Sequence, residues 1–108
     1  MNEAVHQMFQ KYKDKCESPQ DYKNALKEII QEISLLGLWR GKFFEKASFY
    51  GGTSLRIFYG LNRFSEDLDF SLLVADTNFD WDNYRGYIEN ELKAYGLFVT
   101  TSKKKKQL

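Results

Sequence analysis

Apolar residues in the first half of the chain recur at helical spacing. Tyr22, Leu26, Ile29, Ile30, Ile33 and Leu36 fall along one stripe of a helix. Ser18-Pro19-Gln20-Asp21 precedes them with the parts of a helix start: a hydroxyl cap, a proline where no donor is missed, and an acid in the first turn. Gly37 is expected to stop this helix, and residues 1–17 read as a short polar helix or a loose arm. Phe43 to Tyr50 reads as an approach turn and a short strand, which Gly51-Gly52 interrupts. Thr53 to Tyr59 is expected to be helical and closed by Gly60. From Leu68 to Val74 the period changes to two, with Leu68, Phe70 and Leu72 on one face and Asp67, Asp69 and Ser71 on the other. Trp81, Tyr84, Ile88, Leu92 and Tyr95 form the stripe of a further amphipathic helix ending at Gly96, and Leu97 to Ser102 is a third strand candidate. Helices alternating with short strands predict a small α+β or α/β unit.

The chain has 108 residues, 43% hydrophobic and 29% charged, which suits one small globular domain with one modest core. No apolar run is long enough to span a membrane, and Met1-Asn2-Glu3-Ala4 lacks the basic-then-apolar build of a signal peptide. Cys16 is the one cysteine and His6 the one histidine, which removes internal disulfides and any site needing two of either. A reduced, cytoplasmic domain is expected. The net charge of +1 hides a pattern. Eight carboxylates between Phe64 and Leu92 face one basic residue, Arg85, whereas Lys103 to Lys106 make the end basic. That end is suited to RNA phosphates, or is a flexible or cut-off strand edge.

Two stretches carry candidate chemistry. In Phe49-Tyr50-Gly51-Gly52-Thr53-Ser54-Leu55, a strand enters a Gly-Gly turn and leaves into a helix. This offers backbone N–H groups, a helix dipole and two hydroxyls to a phosphate. The same residues would also serve a tight turn in which Thr53 caps the helix. In Arg63-Phe64-Ser65-Glu66-Asp67-Leu68-Asp69-Phe70, Asp67 and Asp69 point the same way from a strand, their Cα atoms roughly 6.5–7 Å apart. Two such carboxylates call for a positive charge between them, either a hard divalent cation or Arg63. Asp80-Trp81-Asp82 repeats the spacing, with Glu91 beyond it. However, Arg85 stands where a calcium loop needs glycine, and Asp80 as a helix cap accounts for the stretch. A phosphate cradle followed by paired carboxylates suits phosphoryl or nucleotidyl transfer.

Together these two stretches resemble the signature of the AbiEii/AbiGii nucleotidyltransferase toxins, within the DNA polymerase beta-like nucleotidyltransferase superfamily. The likeness is close over residues 43–74. It implies an α+β fold with a small mixed sheet and flanking helices. It also implies that Gly51, Gly52, Thr53 and Ser54 hold the triphosphate of a nucleoside triphosphate, with Arg63 and Ser65 nearby. Asp67 and Asp69 would be the catalytic carboxylates and bind two Mg²⁺ ions. The implied reaction passes a nucleoside monophosphate to an acceptor hydroxyl on a tRNA end or a protein. The implied setting is a bacterial abortive-infection or type IV toxin–antitoxin system with a separate antitoxin. The superfamily usually adds a third carboxylate from a later strand, yet Leu97 to Leu108 contains no Asp or Glu. Glu89 and Glu91 fall within a predicted helix. The expectation is therefore an incomplete core over 18–102, flanked by an arm (1–17) and a basic end (103–108). Such a chain would be the N-terminal part of a longer enzyme, or a truncated copy that still binds nucleotide or antitoxin.

Overall fold

A computed structural model describes residues 3–51, 57 and 68–98. Its elements are helix α1 (Glu3–Gln10), helix α2 (Pro19–Arg40), a 3₁₀ turn (Phe43–Glu45), strand β1 (Ala47–Tyr50), strand β2 (Asp69–Leu72) and helix α3 (Asp82–Ala94). Three α-helices and an antiparallel strand pair make the architecture α+β among the described residues. The expected helix from Thr53 to Tyr59 lies outside them except for Ile57, which is helical. No helix among the described residues is long and apolar enough to cross a membrane.

Helix α2 starts where its sequence predicts. The Ser18 side chain accepts the Asp21 N–H at 3.2 Å, and the Asp21 carboxylate accepts the Ser18 N–H at 3.2 Å, forming a complete capping box. The Glu17 N–H also donates to that carboxylate at 3.0 Å. This bond foremost, with Ser18 assisting against desolvation, holds the Asp21 carboxyl below its ordinary value. The helix does not stop at Gly37, however; it continues to Arg40. Gly37 instead lies where α2 and α3 meet. A Cβ there would stand 2.6 Å from the Tyr87 carbonyl oxygen and 3.1 Å from both the Ile88 Cα and the Glu91 Cβ. The glycine permits close approach of two helix backbones. Alanine normally gains about 1 kcal/mol over glycine in a helix interior. Here backbone must move instead, so Gly37→Ala is expected to destabilise by about 1–3 kcal/mol. Denaturant unfolding checks this; a stabilised variant would contradict the close approach.

The core is formed on several sides of α2 at once. Ile29, Ile33 and Leu38 are buried together with Val5 of α1, Tyr12, Phe43, Ala47, and Tyr84, Ile88 and Leu92 of α3. Tyr22, expected on the buried stripe, is exposed. Because both α1 and α3 pack on α2, its buried surface also takes in polar side chains. Glu28 accepts a hydrogen bond from the Tyr12 hydroxyl, and the Ser34 hydroxyl donates to the Ile30 carbonyl at 2.7 Å. Buried Glu91 pairs with Arg40 Nε at 2.6 Å.

Phe43 is the hub of the aromatic part of the core. Its ring lies 5.4 Å from Phe44, 5.0 Å from Phe70, 5.3 Å from Trp81 and 5.1 Å from Tyr84. These edge-on contacts tie the 3₁₀ turn to β2 and to the start of α3. Trp81 and Tyr84 are thus packing residues, as their spacing suggests. Strand β2 is shorter than the alternation from Leu68 to Val74 predicts. It ends at Leu72, and Leu73 and Val74 are exposed. At its far end α3 closes on Gly96, whose φ of 78° lets the Leu97 N–H reach back to the Leu92 carbonyl at 2.9 Å and the Gly96 N–H reach Lys93 at 2.9 Å. Leu97 therefore belongs to the helix stop rather than to the third strand expected from Leu97 to Ser102. Leu97 and Phe98 have no regular structure, and the rest of that stretch lies outside the described residues.

Candidate functional site

The strand pair positions the candidate site. In β1–β2, Ala47 pairs with Leu72, Ser48 with Ser71, Phe49 with Phe70 and Tyr50 with Asp69. Side chains alternate between faces, so Phe49 and Phe70 point inward with their rings 5.5 Å apart. Ser48, Ser71, Tyr50 and Asp69 share the opposite, polar face. The inward residues anchor the ladder through Phe70 to the Phe43 hub. Burying the apolar face therefore fixes which way Asp69 points.

At the end of this ladder the two candidate stretches meet. Gly51 follows Tyr50 directly and has φ of +87°, a backbone conformation that favours glycine. A Cβ at Gly51 would stand 2.6 Å from Asp69 Oδ2. Residues 18 positions apart in sequence, Gly51 after β1 and Asp69 in β2, are thus in immediate contact. Asp69 is half-buried here. The backbone of the first glycine runs directly past the carboxylate, so close that any side chain there would collide with Asp69 Oδ2.

Of the other residues proposed from sequence, Gly52, Thr53, Ser54, Arg63, Ser65 and Asp67 lie outside the described residues. Four acidic positions beyond the candidate pair are engaged locally. The N-cap of α3 is Trp81 rather than the expected Asp80; Asp80 Oδ1 accepts the Asp82 N–H at 2.9 Å from just ahead of it, and Asp82 pairs with Arg85 at 3.0 Å. Asp76 Oδ1 accepts the Asn78 N–H at 2.9 Å, and Glu91 is held by Arg40. The Asp80-Trp81-Asp82 repeat is thus accounted for by local structure. Among the described residues no group of three or more His, Cys, Asp or Glu side chains gathers around a common point. Asp69 itself suits a divalent cation by donor chemistry. It offers hard carboxylate oxygen on a polar face, and no described cationic side chain forms an ion pair with it.

Comparison with known proteins bears directly on this junction. The family model described as "Nucleotidyl transferase AbiEii toxin, Type IV TA system" matches residues 33–107. No curated protein and no solved structure matches the chain. The matched stretch covers more than half of the sequence, from the last turns of α2 through both strands and α3, and it contains Gly51 and Asp69 together. The chain belongs to the AbiEii nucleotidyl transferase toxin family of type IV toxin–antitoxin systems.

Proposed function

We propose that this chain carries the nucleotide-binding head of a metal-dependent nucleotidyltransferase. The observation that supports it most is the contact of the Gly51 backbone with the Asp69 carboxylate. A phosphate-binding turn is useful to such an enzyme only when it lies beside the carboxylates that hold the cation. In this reading Gly51, Gly52, Thr53 and Ser54 cradle the triphosphate through backbone N–H groups and hydroxyls. Arg63 and Ser65 supply further contacts to phosphate. Asp67 and Asp69 hold Mg²⁺, with two ions as the expected number. When bound, the cation supplies charge neutralisation at the phosphates and lowers the acceptor's resistance to deprotonation.

The reaction is displacement at the α-phosphorus. A bond forms between the acceptor oxygen and that phosphorus, and the bond to the bridging α–β oxygen breaks. Pyrophosphate departs with the electron pair, and the acceptor's proton passes to a basic oxygen at the site. The acceptor is a hydroxyl on a tRNA end or on a protein side chain, the place of action is the cytoplasm, and a cognate antitoxin is the regulatory partner. A second reading is a binding module that grips nucleotide or antitoxin and transfers nothing. It draws on the commitment of Glu91 to Arg40.

Calorimetric titration of each nucleoside triphosphate, with and without Mg²⁺, into the parent and into Asp69→Asn tests the reading. Magnesium-dependent binding is expected, weakened by at least about 10–100-fold in the variant, because even residues that only support a metal ligand contribute that much. A folded parent that binds no nucleotide, or a variant that binds like the parent, would overturn the assignment. Transfer of label from α-labelled nucleotide separates the enzyme from the binding module.

A further inference from the structure

The polar face of the ladder holds a residue that the glycine and aspartate motifs do not mention. Tyr50 is the direct cross-strand partner of Asp69, so the two side chains leave the sheet side by side in the same direction. Tyr50 also immediately precedes Gly51, whose backbone touches the Asp69 carboxylate. Its side chain is 49% exposed, even though the inward-facing Phe49 packs on Phe70 and Phe70 packs on the aromatic core. A large aromatic ring standing in solvent beside a half-buried carboxylate is poorly explained by packing. Its length matters too. A tyrosine is longer than an aspartate by a ring, so from the paired position its hydroxyl has the length to meet a group held through Asp69.

We infer that Tyr50 is a substrate-contacting residue whose hydroxyl donates a hydrogen bond to a phosphate oxygen of the nucleoside triphosphate. The inference rests on the nucleotidyltransferase reading of the Gly51–Asp69 junction and adds a ligand group to it. The chemistry suits the place. A phenol hydroxyl donates to an anionic oxygen without adding charge, and bonds of this kind are among the stronger ones. Ser48 and Ser71, the next pair on the same face, are shorter and lie further from Gly51, so they do not reach the same ligand atoms.

The test compares Tyr50→Phe, which keeps the ring and removes the hydroxyl, with Tyr50→Ala, which removes both. Each full-length variant is titrated with nucleoside triphosphate and with inorganic tripolyphosphate in the presence of Mg²⁺, after its folding is verified by circular dichroism. A hydroxyl–phosphate bond predicts that Tyr50→Phe weakens both probes by about ten-fold or more, since hydrogen bonds to charged groups carry that much. It also predicts that Tyr50→Ala adds little further loss for tripolyphosphate. If Tyr50→Phe binds both probes like the parent, the inference is wrong. Loss with Tyr50→Ala for the nucleotide alone would then assign the ring to base stacking. A folded parent that binds neither probe removes the nucleotidyltransferase reading itself, whereas parental binding retained in Tyr50→Phe removes only the role of the tyrosine.

Discussion

Gly51→Ala is expected to lose magnesium-dependent nucleotide binding about as completely as Asp69→Asn while the protein stays folded. Two effects act at this position, and their sizes differ. The first is backbone strain. Gly51 has φ of +87°, and an L-residue held in the left-handed region costs on the order of 1–2 kcal/mol. A loss of that size leaves a folded majority in a domain of ordinary stability. The second effect is local and chemical. The new Cβ would lie 2.6 Å from Asp69 Oδ2 and 3.4 Å from the Asp69 Cβ and Cγ. The carboxylate is the end of a short side chain, so it turns away at small cost to the fold. That turn removes the oxygen from the position where it would meet the cation. Gly86→Ala is the control, because a Cβ there meets nothing within 4 Å. In the middle of α3 it should stabilise by up to about 1 kcal/mol and leave binding alone. Should Gly51→Ala bind nucleotide and Mg²⁺ like the parent, the junction of glycine turn and carboxylate is not the binding site.

The largest loss of stability is expected from Phe43→Ala, about 3–5 kcal/mol. Phe43 is 1% exposed and is among the largest fully buried side chains. Its ring contacts Phe44, Phe70, Phe79, Trp81 and Tyr84, the farthest with centroids 6.2 Å away. No single neighbour can move into the vacated space, because apart from the adjacent Phe44 those rings belong to β2, to the segment after it and to α3. The loss would consume much of the 5–15 kcal/mol that holds a typical domain together. Denaturant midpoints for Phe43→Ala and Phe43→Leu provide the check, with the leucine variant intermediate. A cost below about 1 kcal/mol for the alanine variant would mean that the aromatic hub is not a rigid part of the core. Because Phe70 packs on Phe43 and sits beside Asp69, the same change should also loosen the carboxylate. Binding is then expected to fall even under conditions where the variant remains folded.

What could be read directly from the amino-acid sequence was local. The capping box of Ser18 and Asp21 involves residues three apart, and its hydrogen bonds form whatever else the chain does. Gly96 as a helix stop is equally local, since its positive φ and the bonds from Gly96 and Leu97 back to Lys93 and Leu92 involve one turn of chain. The two-residue period placed Asp69 on the face opposite Phe70, and burial of Phe70 against Phe43 fixed that choice. The glycine and aspartate motifs also carried the family resemblance, because they are short patterns with restrictive chemistry.

Gly37 and Gly96 show where such reading stops. Both precede a change in the apolar pattern, yet one ends a helix and the other lies inside one. Gly96 takes a positive φ and closes its helix, whereas Gly37 stays helical where the packing of α3 brings the Tyr87 carbonyl close. Leu97 likewise carries a strand-like composition but is used by the end of α3. Tyr50 went unmarked for the same reason, since nothing in its neighbours along the chain sets it opposite Asp69. The sequence by itself determined the start of α2, the face alternation of β2 and the choice of Gly51 and Asp69 as candidate residues, all of which depend on neighbours a few residues apart. The tertiary structure alone decided that Gly51, Tyr50 and Asp69 meet. That meeting depends on the antiparallel register of two strands distant in sequence and on the aromatic core that holds them.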